Sequence, residues 1–493
     1  MQRIAKEALK RAGYRAWLFP VLAAEWILFK CCYPYADYFT DSYSYIGAAA
    51  AHDAIGYRPI GYSIFLRAVH WIWASDTFLV TLQYVLVQTA SLGLILWLRR
   101  WCSLSERTLR VLFAFLILNP LIPYTCNYVS SDALFIALSL VWLIVLLELL
   151  RRPSWRWLIV QIILLFVIFH LRYLAMYYPA VSALTVLLAK KAKPVLKLAG
   201  VAGSIGVIAF SISLVRQTTF RETGAPVFSA FSGWQIASNA MNMYPYIHTD
   251  TTGLPSPECL RLEEDVRAYF DKMGPSLRDR GPSATTEYMW VGNSPLHVYL
   301  AEYRRHTATD YFTAWNRVAP VFTQYGYFLI RRHPWAYVRY YMWPSAVGFF
   351  WSPLDVFAVY NEGHETVDPV ARDWFHYKTL RPQVLSATVQ GRLLAPMPAV
   401  YLALNIVFIV IVVVFLSSRV RRDLHPLFSG CLRLGSAYLL ANASFCIVAS
   451  PSVFRYQVLP VIILFVLSTC GFYCLTFQYG QIGKPSPASD RRD

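Results

Sequence analysis

The stretch SDALFIALSLVWLIVLLELL, residues 131–150, decides how the chain is read. It holds twenty residues, with charge only at Asp132 near its start and Glu148 near its end. At the rise of an α-helix it covers roughly 30 Å, the thickness of a bilayer's hydrocarbon. A water-soluble core needs no run of this kind, because a helix packed on one side keeps a polar face.

Moving outward, comparable runs occupy 78–98, 173–189, 198–215, 398–418 and 456–477. Shorter or weaker ones occupy 16–33, 111–123, 157–171 and 434–449. Composition agrees: the 493 residues are 57% hydrophobic and only 15% charged, against about 25% charged in a soluble domain. The expected fold is an all-α polytopic membrane protein of about ten transmembrane helices.

The net charge of +17 would suggest nucleic acid as the partner of a soluble protein, but its placement suggests otherwise. Basic clusters lie at Arg3–Arg15, Arg99–Arg110, Arg151–Arg156, Lys190–Lys197 and Arg419–Arg422. Each follows an even number of predicted spans, the positive-inside pattern, which puts both termini in the cytoplasm. The far-side segments are then 34–77, 124–130, 172, 216–397 and 450–455. The first apolar run contains Glu25 and no small-residue cleavage site, so it reads as a retained anchor. Nine scattered cysteines show no metal spacing and no disulfide framework; a Cys126–Cys259 bridge is allowed by the compartment and required by nothing.

The organisation expected is a membrane module over 1–215 with outer loops 34–77 and 124–130. A large extracytoplasmic segment of mainly helical character follows over 216–397, then C-terminal helices over 398–477 and a cytoplasmic tail over 478–493. Ser256–Pro257–Glu258 signals a helix start. Residues 334–352, PWAYVRYYMWPSAVGFFWS, read as an interfacial or re-entrant helix, since Trp and Tyr favour the headgroup zone. The short run 111–123, closed by Asn119–Pro120 and Pro123, fits either a cavity-lining helix or a short hairpin. No internal repeat stands out, which disfavours a transporter built of inverted repeats.

Polar residues gather at the outer ends of the predicted spans. The first outer loop packs Asp37, Asp41, His52, Asp53 and Arg58 beside the membrane. Any one acid there is explained by solvation alone. Several acids pressed on helix ends are candidates for shifted pKa values and proton transfer. Arg58–Pro59 sets a guanidinium on a stiff backbone, suited to a phosphate. Ser130–Ser131–Asp132 opens the 131–150 run, where capping competes with a substrate or cation role. Arg172 and Arg455 sit at span ends, either snorkelling to headgroups or binding phosphate. Glu25 and Lys30 in the first span face an interior with no assigned role. The acids and histidines of the far-side segment, from His248 through Glu263–Glu264–Asp265 to Asp368, match no metal spacing and are expected at the surface.

At these residues the chain resembles the multispan glycosyltransferases of the GT-C class. It is most similar to bacterial relatives of protein O-mannosyltransferases and to lipid A aminoarabinose transferases. The resemblance lies in Asp41-Ser-Tyr-Ser-Tyr45 followed by Arg58–Pro59, in Asp132 where a span begins, in Arg172, in Arg455–Tyr456 with Pro460, and in the His333–Pro334 stretch. Asp41–Ser42 stands where that family has an acidic pair, and Arg58–Pro59–Ile60 where it has lysine before paired prolines. The resemblance covers 1–215 and the region near 455. It implies a GT-C-like fold and transfer of a sugar from a polyprenyl-phosphate donor, with inversion, on the extracytoplasmic face of a bacterial inner membrane. In that reading Asp41 is the general base, and Arg58, Arg172, Arg455 and Tyr456 bind the phosphate. Tyr45, His52 and Asp53 contact acceptor or donor, and a divalent cation (Mg or Mn) sits near Asp132. The partners are the lipid-linked sugar, a lipid, glycan or protein acceptor and the bilayer, with no nucleic acid. The rival readings are a transporter or flippase of a lipid-linked glycan, an O-antigen ligase or polymerase, and a non-catalytic scaffold.

Overall fold

The computed structural model describes residues 2–102, 104–416, 426–450 and 452–482; of these, 2–16, 280, 426 and 476–482 are described by backbone alone. The basic cluster at 419–422 and the tail beyond 482 lie outside the described residues. Among the described residues the chain is helical, and its one piece of β pairing is an isolated parallel bridge between Asp37 and Tyr128.

Helix α1 (Gln2–Cys32) leads into the predicted first outer loop, which holds α2 (Thr40–Ala50) and α3 (Gly61–Ile72). The bundle continues with α4 (Asp76–Cys102), α5 (Glu106–Leu118), α6 (Leu121–Asn127), α7 (Ser131–Arg151), α8 (Trp155–Leu171), α9 (Tyr178–Leu188) and α10 (Pro194–Thr223). The far-side segment carries α11 (Ala230–Met241), α12 (Pro257–Arg280), α13 (Glu287–Trp290), α14 (Pro295–Thr307), α15 (Tyr311–Arg332), α16 (Pro334–Tyr337), α17 (Trp343–Phe350), α18 (Pro369–Phe375) and α19 (Val389–Leu394). The chain returns to the bundle with α20 (Met397–Leu416), α21 (Pro426–Ala449) and α22 (Val458–Ile482).

Among the described residues six helical segments are long and apolar enough to cross a membrane: Asp76–Cys102, Ser131–Arg151, Pro194–Thr223, Val389–Leu416, Leu427–Ala449 and Phe454–Leu475. The pair α5–α6, bent by 41° at its break, makes a seventh if it is one span. The chain is therefore an all-α protein with the helices of a multi-pass membrane protein. The apolar run 131–150 forms α7, most of which is buried among its neighbours. Ser130 caps it, accepting from the Asp132 N–H at 3.3 Å. At the other end Glu148 accepts from Trp97 Nε1 at 2.7 Å and pairs with Arg151 at 2.6 Å. Trp142 stacks on Tyr178 (centroids 4.2 Å apart), whose hydroxyl meets Ser139 at 2.8 Å, so the polar atoms of this core satisfy one another. Helix α10 and the Val389–Leu416 segment are instead mostly exposed, with apolar outer faces that suit lipid.

The proline-ended run bends at Asn119–Pro120, and every residue of α6 is buried, so this helix faces the interior. Glu25 and Lys30 also turn inward: Tyr84 donates to Glu25 at 2.7 Å, and Lys30 donates to Asn127 at 3.0 Å.

The far-side segment divides into two parts that the sequence treats as one. Residues from Ala230 to Tyr341 build a core of their own around Trp234, Leu262, Phe322 and Tyr325. At Gly233, α11 approaches α15 so closely that a Cβ would lie 2.3 Å from the Ala319 carbonyl oxygen. Glu263, expected at the surface, is buried there; it accepts from Tyr244 at 2.9 Å and from Tyr325 at 2.5 Å. The second part, including Phe357, Tyr360 and Phe375, packs instead on the bundle core and straps the first outer loop. Tyr360 donates to the Ala36 carbonyl at 2.6 Å, and the Asn361 N–H donates to Asp37 at 2.7 Å. Residues 334–350 run as α16, a π-helical turn and α17 against the outer end of α21, where Tyr337 donates to the Val448 carbonyl at 2.8 Å. Trp335, Trp343 and Trp351 point away from it, exposed. Cys126 and Cys259 are free thiols buried in different cores.

Candidate active site

Two carboxylates are placed in the same way. Asp41 lies in the first turn of α2 and Asp132 in the first turn of α7, where unpaired N–H groups and the helix dipole favour an anion. The Asp37–Tyr128 bridge holds the two segments in register. The Asp37 N–H donates to the Asn127 carbonyl at 2.8 Å, and the Val129 N–H to the Asp37 carbonyl at 3.1 Å.

Three arginines meet these acids. Arg58 and Arg455 both grip Asp41, Arg58 on one carboxylate oxygen and Arg455 on the other at 3.1 Å. Arg172 pairs with Asp132. Arg455 lies in the 3-10 turn ahead of α22, and Arg172 joins α8 to the 3-10 turn ahead of α9, so each extends from a link at a helix end. The approach of α3 to α8 is set by Gly61, where a Cβ would stand 2.5 Å from the His170 carbonyl oxygen. That contact places Arg58 close to Arg172. Aromatic faces complete the cluster. Arg172 lies 4.7 Å from the Tyr456 ring centroid, Arg455 lies 4.7 Å from that of Phe39, and Arg58 lies 4.7 Å from that of Phe231. Arg455 also donates to the Tyr456 hydroxyl at 3.3 Å, and Tyr45 meets Ser131 at 3.0 Å.

Asp41, Tyr45, Arg58, Arg172 and Tyr456 line a cavity of about 330 Å³; Arg455 and Asp132 are paired to Asp41 and Arg172 outside that lining. Its far wall is apolar, with Leu174, Met176, Phe445 and Ala449, and runs along the outer end of α21. Burial would raise the pKa of Asp41, but Arg58 and Arg455 beside it hold the carboxyl below the usual carboxylate range. Asp37 behaves in the opposite way. Burial pushes it up to about 7, against the hydrogen bonds it accepts from the neutral N–H groups of Asn361 and Tyr38 and with the Lys30 ammonium near enough to interact with it.

Of the predicted site residues, Asp41, Tyr45, Arg58, Asp132, Arg172, Arg455 and Tyr456 come together. His52 and Asp53 do not join them. They form the exposed turn after α2, with His52 in a left-handed conformation (φ 57°) facing Arg67 at 3.2 Å. The residues present do not fit a protein-held divalent cation at Asp132. Its oxygens are taken by Arg172 and by Ser130 at 2.9 Å, and no group of three His, Cys, Asp or Glu among the described residues is arranged for a metal. Sequence reasoning missed the far-side wall. Phe231 and Trp290, which flank Arg58, come from an aromatic-rich segment that gives no sign of which rings face inward.

No protein-family model, no curated protein and no solved structure matches the chain.

Proposed function

We propose that the chain is a multi-pass membrane glycosyltransferase of the GT-C type, working on a polyprenyl-phosphate sugar at the outer face of a bacterial inner membrane. The observation that carries this reading is one cluster of two carboxylates and three arginines, of which Asp41, Arg58 and Arg172 line a single cavity. Intramembrane transport would favour charges near the middle of the bilayer instead. Ten crossings result from adding α1, the bent pair α5–α6 and the shorter apolar segments Trp155–Leu171 and Tyr173–Leu188 to the six long helices. With the basic clusters inside, this count leaves the cavity outside.

The clamp on Asp41 suggests how the site works. A carboxylate held by two guanidinium groups is a weak base, yet it occupies the place where a phosphate would be bound. On donor binding, Arg58 and Arg455 turn to the phosphate, and the polyprenyl tail lies along the apolar wall beside α21. Asp41, released but still buried, becomes more basic. It takes the proton of an acceptor hydroxyl as that oxygen bonds to the anomeric carbon. The bond from that carbon to the phosphate oxygen breaks, and polyprenyl phosphate leaves with its charge stabilised by the arginines. Attack opposite the leaving group inverts the anomeric centre. No step is routed through a cation.

The test is to reconstitute the full chain in lipid nanodiscs with a panel of farnesyl-phosphoryl pentoses and hexoses and follow release of farnesyl phosphate by mass spectrometry. Release by the native chain and its loss in Asp41→Asn are expected. Movement of the intact lipid-linked sugar across liposomes, equal in both proteins and without release, would point to a flippase instead.

A further inference from the structure

The cavity at Asp41 is one lobe of a larger hollow. A second lobe of about 240 Å³ adjoins it, and both are bordered by Tyr57, Arg58, Tyr173, Ser229 and Phe231. The second lobe lies between the outer ends of α8 and α10 and the far-side helices α11 and α15. We propose that it seats the acceptor, and that the acceptor is a neutral, multiply hydroxylated ring, a sugar unit. The proposal rests on the transfer reading above and adds to it the acceptor's class and place.

The charge of the lobe comes first. Its lining contains no carboxylate and no lysine; apart from the titratable His170, whose Nδ1 meets the Phe166 carbonyl at 2.8 Å, its one fixed charge is Arg58, at the neck and already paired with Asp41. An ammonium group seated there would be desolvated without a counter-ion, which is costly. The free hydrogen-bonding capacity comes next. Thr218 and Thr219 commit their hydroxyl hydrogens to the Leu214 and Val215 carbonyls at 3.0 and 2.9 Å. Asn316 commits an amide N–H to the Phe312 carbonyl at 2.9 Å, an acceptor that fixes which way the amide is turned. The oxygens of these three side chains therefore remain as acceptors. They suit a ligand rich in O–H donors, and the hydroxyls of Tyr57, Tyr173 and Ser229 in the same lining can donate or accept, a mixture that matches a polyol's paired donors and acceptors. The walls come last: Tyr57, Phe228, Phe312 and Trp315 make them aromatic, and aromatic rings pack favourably against the polarised C–H groups of a sugar ring. The other lobe has the opposite character, with Asp41 and two arginines at one end and an apolar wall at the other. That contrast assigns phosphate and tail to the first lobe and acceptor to the second, with the reacting hydroxyl reaching Asp41 through the neck at Arg58.

The test is saturation-transfer-difference NMR on the full chain in nanodiscs. The probes are methyl glucoside, methyl galactoside and methyl mannoside, against glucuronate and glucosamine, with farnesyl phosphate as a probe of the first lobe. Neutral glycosides should receive magnetisation and keep it when farnesyl phosphate is added. Thr219→Val and Asn316→Leu should each weaken binding by about three- to tenfold, the effect of one lost hydrogen bond, at an unchanged unfolding temperature. Thr218→Val, at the exposed rim, serves the same purpose if either buried variant fails to fold. Displacement of the glycosides by farnesyl phosphate would overturn the assignment of separate lobes, and preference for a charged glycoside would overturn the neutral acceptor. Binding of farnesyl phosphate with no neutral glycoside bound would overturn this inference and leave the transfer reading standing. If neither probe bound, both would fall.

Discussion

Asp41 and Asp132 occupy equivalent places, each in the first turn of a helix and each ion-paired to arginine, yet they are held differently. Asp41 has two guanidinium partners and borders the cavity. Asp132 has one, together with the Ser130 hydroxyl, and is not part of the lining. Redundancy is the difference. Asp41 can lose either arginine and stay paired, so its partners are free to move to a substrate anion. Asp132 has no spare partner, so its pair with Arg172 is suited to fixing position. Breaking a buried pair from one side leaves a stranded charge, a cost of about 3–5 kcal/mol. By that measure the Asp41 clamp is built to open, and the Asp132 pair is built to stay closed.

The largest expected effect separates the acids by chemistry. On the proposed transfer mechanism, Asp41→Asn should lower the transfer rate by about 10²- to 10⁴-fold, the usual contribution of a general base, while the protein still inserts and purifies folded. Asp132→Asn should lower it by much less, since that side chain acts only by placing Arg172. Equal losses in single-turnover transfer would erase the distinction.

The next effect separates the arginines by stability. Arg172→Ala strands Asp132 and should destabilise the protein by about 3 kcal/mol or more. Arg58→Ala leaves Asp41 paired with Arg455 and should cost far less, while raising the KM for the lipid donor. Thermal unfolding in detergent checks the first statement, and donor titration checks the second. Similar unfolding temperatures for the two variants would break the argument from redundancy.

A third carboxylate in the same loop sharpens the contrast through pH. Asp37 is buried, accepts its hydrogen bonds from neutral donors, and is pushed up to about 7 by burial, with the Lys30 ammonium near enough to interact with it. Between the ordinary carboxylate pKa and about 7 the folded state holds a proton that the unfolded state has released, so stability falls as pH rises across that window. The slope is at most about 1.4 kcal/mol per pH unit. Asp41, whose pKa is lowered, gives the opposite sign: its contribution is present at neutral pH and is lost only as pH falls through its lowered value. Asp37→Asn should flatten the fall in unfolding temperature between pH 5 and 7; an unchanged slope would remove Asp37 as its source.

How much of this was legible in the sequence follows the same division. Asp132, Arg172 and Arg455 stand out because a charge at the end of an apolar run is expensive and needs a reason; Asp41 and Arg58 stand out only as part of a crowded polar loop beside those ends. The membrane helices are legible because length and apolarity alone define them. The pairing was not legible: nothing local says that Arg455 crosses to Asp41, a separation of 414 residues. The division of the far-side segment was hidden for a similar reason. Tyr360 and Tyr325 look alike in sequence, yet one locks the first outer loop and the other closes on Glu263 in a separate core.

His52 and Asp53 give the smallest expected effect and the cleanest control. They share the first outer loop with Asp37 and Asp41 and differ from them only in where the backbone sends them. Helix α2 ends at Ala50, and the turn that follows carries both side chains into solvent. Exposed polar groups of this kind usually change stability by less than about 0.5 kcal/mol when replaced. His52→Asn, which tolerates the left-handed backbone, and Asp53→Asn should both leave transfer rate, donor KM and unfolding temperature within error of the native chain. A clear loss of transfer in either would bring this turn into the site during turnover, and acid placement in the resting fold would then no longer separate working from idle carboxylates.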